Sequence, residues 1–359
     1  MTTSVPSRPS VRESYAVSIL AFALGFVFIA TVIHLLIPNP LRLYAEMRSE
    51  KLELLDGWKG GGYAAAFGSS HANDGFDPRA FDDELSAVQR RVPSINLGIE
   101  GAGQTEQRVM ALEFIRHISN DTTVAHPACY LMLEITAGAN ITGHLVHPRA
   151  INIYDWATTK FVVADLDGPG ITRYRELGRA GYALTAMTMH YSNVGMLSNA
   201  ILRPSLDQKL YAAETENGRN GLHELSSEHA ISVQDSVKID PGVKPVAVKQ
   251  EVSPGNGHLI EELAAASGNS KLHFAYFVMP LYSNLKQFPD YPASIQTGVG
   301  PVPIFNLARP DLYPQLYAPK YWHDPAHLNG EGAALVSRIL ADQLKAWNAA
   351  NHWDMNCGG

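Results

Sequence analysis

Y-A-A-A-F-G-S-S-H-A-N-D-G-F-D-P, residues 63–78, is the stretch that decides the fold. An apolar run, 63–67, stops at Gly68 and two serines. A polar turn follows, then a helix-like segment over 80–90. Strand, Gly-Ser turn and helix expose a serine hydroxyl at the carboxyl edge of a parallel sheet, where open α/β sheets carry their active sites. Backbone N–H groups at the start of the following helix are placed to face a developing oxyanion. Gly-Ser turns also close many ordinary strands, so the stretch needs a partner elsewhere in the chain.

That partner is Y-W-H-D-P-A-H-L-N-G-E-G-A-A, residues 321–334. It presents Asp324 and His327 three positions apart, just before a final helix. Together the two segments resemble the SGNH/GDSL hydrolase superfamily. Gly68-Ser69-Ser70 matches its first block, G-D-S. Asp324-Pro325-Ala326-His327 matches its last, D-x-x-H. Asn96 to Gly101 reads as its second, N-x-G-x-x-G. Gly138-Ala139-Asn140 matches three positions of its third, G-x-N-D, with Ile141 in place of the acid. The resemblance covers residues 60–348. With an N-terminal apolar segment, G-S-S and D-x-x-H-L-N look most like the membrane-anchored branch of polysaccharide O-acetylation proteins and D-alanyl transfer proteins.

The resemblance implies a flavodoxin-like three-layer α/β sandwich with a parallel five-stranded sheet, order 2-1-3-4-5. It implies Ser70 as nucleophile, His327 as general base and Asp324 as the orienting acid. A serine hydroxyl is a poor nucleophile until a base takes its proton, and a carboxylate must hold the resulting imidazolium. The oxyanion would take the N–H groups of Ser70 and Gly101 and the Asn140 amide. Ser69 stands where the superfamily commonly has Asp, and it remains a rival nucleophile. His71 is the local rival base. His71 and His323 otherwise read as groove walls.

The 359 residues are ample for one large domain, and a net charge of −7 argues against a nucleic-acid-binding surface. Cys129 and Cys357 are the two cysteines and suggest no disulfide framework. Residues 1–14 are polar and read as a disordered cytoplasmic tail. Residues 15–37 form an apolar segment without a charged side chain, ended by Pro38-Asn39-Pro40. It is long enough to span hydrocarbon at helical rise, and without an A-x-A-like cleavage site it reads as an uncleaved transmembrane helix. Arg8 and Arg12 precede it, while Arg42, Arg48 and Lys51 follow, so basic residues do not fix the orientation. A large domain after one early span translocates regardless of local charge. The domain is expected on the periplasmic side of the inner membrane, which the resemblance implies more than the charges do. Residues 41–59 read as an amphipathic stalk helix and its glycine break.

Within the domain, 60–349, strands are expected at 93–97, 127–135, 272–279 and 302–307. Helices are expected at 104–118, 154–163, 174–202, 257–266 and 331–349, with a tail at 350–359. Residues 204–256 lose apolar periodicity and read as an irregular insertion near the site, a lid or docking surface. Alternating strands and helices imply a right-handed parallel arrangement.

No cofactor is expected. His144 and His147 lie three apart but meet Pro148 and lack nearby carboxylates, so a zinc site is not expected there. The glycines of G-I-E-G-A-G, 98–103, are spaced wrongly for a dinucleotide loop. Arg149 reads as a solvated loop residue or a contact to an acyl donor. Tyr282, Tyr291, Tyr313, Tyr317, Tyr321 and Trp322 are candidates for an aromatic-lined acceptor groove or ordinary packing. Three functions follow: an anchored O-acyltransferase or esterase on a cell-envelope glycan, fed by a multispanning acyltransferase; a plain anchored esterase; or a catalytically silent scaffold of an envelope modification or export complex.

Overall fold

The computed structural model describes residues 11–36, 42–58, 63–85, 94–120, 130–135, 156–164, 221–226, 244–268 and 272–353, with isolated positions between 178 and 187. Asn140, His144, His147, Arg149, most of the helix expected at 174–202, and large parts of the tails and of the insertion 204–256 lie outside the described residues.

The helices in chain order are α1 (Val11–Leu36), α2 (Arg42–Gly57), α3 (Ser70–Gly75), α4 (Pro78–Leu85), α5 (Gln104–Asn120), α6 (Trp156–Ala164), α7 (Pro254–Ser267) and α8 (Gly330–Asn351). The strands are β1 (Ala64–Phe67), β2 (Ile95–Asn96), β3 (Tyr130–Glu134), β4 (Val246–Lys249), β5 (His273–Val278), β6 (Gln287–Asp290), β7 (Ser294–Thr297) and β8 (Gly300–Asn306).

β1 and β3 are buried at every position, as strands covered on both faces must be. Successive side chains of a strand point to opposite faces, and the two cores divide accordingly. Ala65, Phe67, Leu131, Leu133, Tyr276 and Val278 pack with Leu55 of α2, Phe114 of α5 and Leu263 of α7. Ala64, Ala66, Tyr130, Met132, Ala275 and Phe277 pack with Phe81 of α4, Leu340 of α8 and Trp322. The result is a mixed α/β fold with helices on both faces of a mostly parallel sheet.

The strand order differs from the expected five-stranded 2-1-3-4-5. The sheet has six strands, ordered β2-β1-β3-β5-β8-β7, and β4 pairs with β6 in a separate two-stranded sheet. β2, β1, β3, β5 and β8 run parallel, whereas β7 is antiparallel to β8. The difference lies at one edge. There β7 and β8 form a hairpin whose turn holds Gly300 at φ 110°, a value glycine tolerates. Pro301 and Pro303 hid the start of β8, because proline supplies no ladder donor and is confined to such edges. β4 hid inside the polar insertion because most of its side chains are exposed.

Of the helix expected at 80–90, α4 covers 80–85 and residues 86–90 lie outside the described residues; α3 begins at Ser70 itself rather than after a polar turn. Helix α1 covers the backbone of the segment expected to span a membrane, 15–37, as far as Leu36, and among the described residues no helix is long and apolar enough to cross a membrane.

Candidate active site

Ser70 is the first residue of α3, directly after β1 and Gly68-Ser69. Gly68 is obligatory on space alone. A Cβ there would overlap Ala72 Cβ and the Glu134 carboxylate, and would lie 2.9 Å from Glu134 Cβ. Asn96, at the end of β2, holds α3 in place. Its buried Nδ2 donates to the carbonyls of Ala72 (2.8 Å), Asn73 (3.1 Å) and Phe76 (2.8 Å), and its Oδ1 accepts from Gly98 N (2.9 Å). Those carbonyls belong to the end of a short helix; Ala72 O also accepts from Phe76 N and Asn73 O from His223 N, and Asn96 adds a side-chain donor to all three. The second sequence block therefore braces the helix that begins with Ser70.

The 322–329 loop delivers the other two residues. Asp324 Oδ1 accepts from the backbone N–H of Ala326 (2.7 Å) and His327 (2.8 Å), folding D-P-A-H into a tight turn. A bridge between Trp322 and Leu328 closes the loop, and Asn329 caps α8 by accepting from Gly332 N at 3.1 Å. His327 Nδ1 is 2.8 Å from Asp324 Oδ2, and its Nε2 is 2.9 Å from Ser70 Oγ. An Nδ1–H donating to the carboxylate leaves Nε2 to accept the serine proton, the tautomer a general base requires. Burial works to raise the Asp324 carboxyl, but the bonds from His327 and the Ala326 N–H outweigh it and hold the carboxyl below its ordinary value.

Ser69 is 5 % exposed, and its Oγ donates to Glu134 Oε2 at 2.8 Å. Ser70, not Ser69, is the serine whose hydroxyl meets His327. Ser69 is the N-cap of α3, accepting from His71 N. His71 Nδ1 lies 3.3 Å from Glu134 Oε1, and its ring centroid is 5.5 Å from that of His327. His71 thus borders the site but binds a carboxylate of its own. Burial opposes its charge, yet Glu134, with Asp74 and Glu100 behind it, raises its pKa above the ordinary histidine value.

Gly101 takes φ 62° in a turn closed by Ala102 N donating to Ile99 O. The neighbouring Glu100 brings a carboxylate oxygen within 4.8 Å of Asp74 and of a His327 ring nitrogen, so this turn borders the triad. Asp74, Glu100 and His327 together offer three donor atoms to a metal ion. Both His327 nitrogens are already engaged, by Ser70 and Asp324, so the three act first as the site's electrostatic surroundings.

Sequence reasoning missed four supporting residues. Lys51 of α2 is buried, and its Nζ donates to Asn73 Oδ1 (2.8 Å), Asn96 O (3.4 Å) and Gly221 O (2.5 Å). Burial lowers its pKa to about 7 despite Asp74 and Glu50 nearby. His223 Nδ1 meets Asp74 Oδ1 at 3.0 Å, and that bond raises the histidine against burial. Glu134 is the fourth. The insertion also contributes: Asn73 O accepts from His223 N, Leu225 O from Gly330 N and Ser226 O pairs with His323 Nδ1. Residues 221–226 thereby join α3 to the loop that carries His327. His323 is a wall residue, whereas Tyr317 and Trp322 are buried packing.

No protein-family model and no curated protein matches this chain.

Proposed function

We propose that the chain is an SGNH-type serine esterase or O-acyltransferase that works through an acyl-serine intermediate. The observation that carries this reading is the unbroken path from Ser70 Oγ through His327 to Asp324 at the carboxyl edge of β1. As Ser70 Oγ attacks the acyl carbon, its proton passes to His327 Nε2 and Asp324 stabilises the imidazolium. Ser70 N–H and Gly101 N–H are the proposed donors to the oxyanion. The ester C–O bond then breaks and His327 returns the proton to the departing oxygen. A second hydroxyl gives its proton to His327, attacks the acyl carbon and frees Ser70. Water as the second hydroxyl gives hydrolysis; a glycan hydroxyl gives transfer.

The acceptor is proposed to be a cell-envelope or exopolysaccharide glycan, and the acyl supplier a multispanning membrane acyltransferase. Both rest on the likeness of G-S-S and D-x-x-H-L-N to polysaccharide O-acetylation proteins. Membrane anchorage by α1, with the domain on the periplasmic side, is proposed from the uncharged apolar sequence at 15–37.

The test is turnover of a nitrophenyl acetate by the detergent-solubilised chain, with mass spectrometry of the protein for an acetyl adduct. Wild type should cleave slowly and Ser70→Ala not at all. An acetylatable polysaccharide should divert the acyl group from water to glycan. Rapid hydrolysis with no transfer would leave a plain esterase. Equal activity in Ser70→Ala would end the serine mechanism, and no acyl adduct on any ester tried would favour the silent scaffold.

A further inference from the structure

Three donors converge on one buried carboxylate behind the nucleophile. Glu134 closes β3, the neighbour of β1, and its side chain is 1 % exposed. Oε2 accepts from Ser69 N at 2.6 Å and from Ser69 Oγ at 2.8 Å, and Oε1 faces His71 Nδ1 at 3.3 Å. The residues on both sides of Ser70 are thus tied to the same carboxylate. A carboxylate buried without such partners would be severely penalised, and here it has three.

We propose that Glu134 is a positioning residue for acyl transfer: it fixes the Ser69-Ser70-His71 turn and so sets the direction of the Ser70 hydroxyl and backbone N–H. The inference rests on Ser70 being the nucleophile. It also explains the sequence at position 69. An aspartate there would set a second carboxylate against Glu134, whereas serine supplies a hydroxyl donor. Gly68 obeys the same constraint, since any Cβ would collide with the Glu134 side chain. Glycine at 68, serine at 69 and glutamate at 134 therefore form one interdependent set.

Glu134 also governs His71. With Nδ1–H directed at Glu134, the imidazole keeps a fixed tautomer and ring orientation beside His327. The other charged groups that bear on this ring are Asp74 and Glu100.

The test uses the full chain in detergent and compares wild type, Glu134→Gln, Ser69→Asp and the double variant. Glutamine keeps the shape but loses the charge and one acceptor. It should lower kcat about 10- to 100-fold with KM within about twofold, as expected when a reacting group is misdirected but substrate binding is kept. The His71 titration midpoint, read by NMR without substrate, should fall in Glu134→Gln. That readout survives even if no ester is ever turned over, which separates failure of this inference from failure of the acyl-transfer reading. Ser69→Asp should be at least tenfold impaired, and adding Glu134→Gln should recover much of the loss because the amide can donate to the new carboxylate. This recovery carries the test if Glu134→Gln alone does not fold. Unchanged kcat in a folded Glu134→Gln protein, an unmoved His71 midpoint, or a double variant no better than Ser69→Asp would overturn the proposal.

Discussion

Lys51 Nζ donates to Asn73 Oδ1 over 2.8 Å, joining α2 to the helix that begins with Ser70. The amine is wholly buried and also reaches the carbonyls of Asn96 and Gly221. Its folded pKa is near 7, against an ordinary value of 10.5, because burial disfavours the charged form. A group so depressed makes the unfolded chain bind more protons between those two values. Stability should therefore rise with pH from about 7 to about 10, at up to about 1.4 kcal/mol per pH unit from this one group. Urea midpoints measured across that window should rise in wild type and show a flatter slope in Lys51→Met. Parallel slopes would mean that Lys51 does not titrate there.

The same contact sets where the chain can be cut. A protein starting at residue 41 keeps α2 and should fold, with unfolding cooperative by circular dichroism. One starting at residue 60 loses Lys51, Leu55 and Trp58, all buried. It should be recovered unfolded or aggregated, as deletion of a core element and of three hydrogen bonds to the site wall requires.

Asp324→Asn tests the carboxylate. An amide nitrogen turned towards His327 would favour the wrong ring tautomer, and a loss near 10⁴-fold in kcat is expected with the fold intact. Ser70→Ala should cost about a millionfold. Ser69→Ala should cost far less, since it removes one donor to Glu134 and leaves the Ser70–His327 path in place. If Ser69→Ala proves as damaging as Ser70→Ala in a folded protein, Ser69 does more than support the turn.

Asn96→Ala strips a donor from three carbonyls at once. Ala72 O and Asn73 O keep the backbone donors of Phe76 and His223, so unfolding free energy should fall by roughly 1–3 kcal/mol. Thermal melting monitored at 222 nm reads the loss. Asn96→Asp should do no better, because a carboxylate offers those carbonyls no hydrogen. A melting temperature equal to wild type in either variant would contradict the bracing role.

Much of this arrangement was legible in the sequence because it is local. The apolar run before Gly68-Ser69-Ser70 reads as a buried strand, Asp324 and His327 three residues apart can share one tight turn, and the resemblance joined the two segments. What escaped was non-local or disguised. Glu134 ends an apolar strand and looks like its solvent-facing terminus until the neighbouring turn folds over it. Lys51 sits among mixed charges on an amphipathic helix, where nothing distinguishes a buried lysine from a solvated one. His223 lies in a polar stretch without periodicity, and β7 and β8 meet across glycines and prolines that suppress the strand pattern. The strand order was misjudged for that last reason.

Only residues 37–41 separate the end of α1 at Leu36 from the start of α2 at Arg42. Fully extended, such a connection covers no more than about 20 Å. Because α2 is pinned by Lys51 into the wall behind Ser70, the domain has no long tether on which to wander. With α1 seated in a bilayer as proposed, the serine would work at a nearly constant height above the surface. Its acyl donor would have to arrive at that height, and an acceptor polymer would have to pass through a thin layer close to the membrane. Lengthening residues 37–41 with glycine and serine would thus change which part of a growing glycan meets the site, without touching the chemistry.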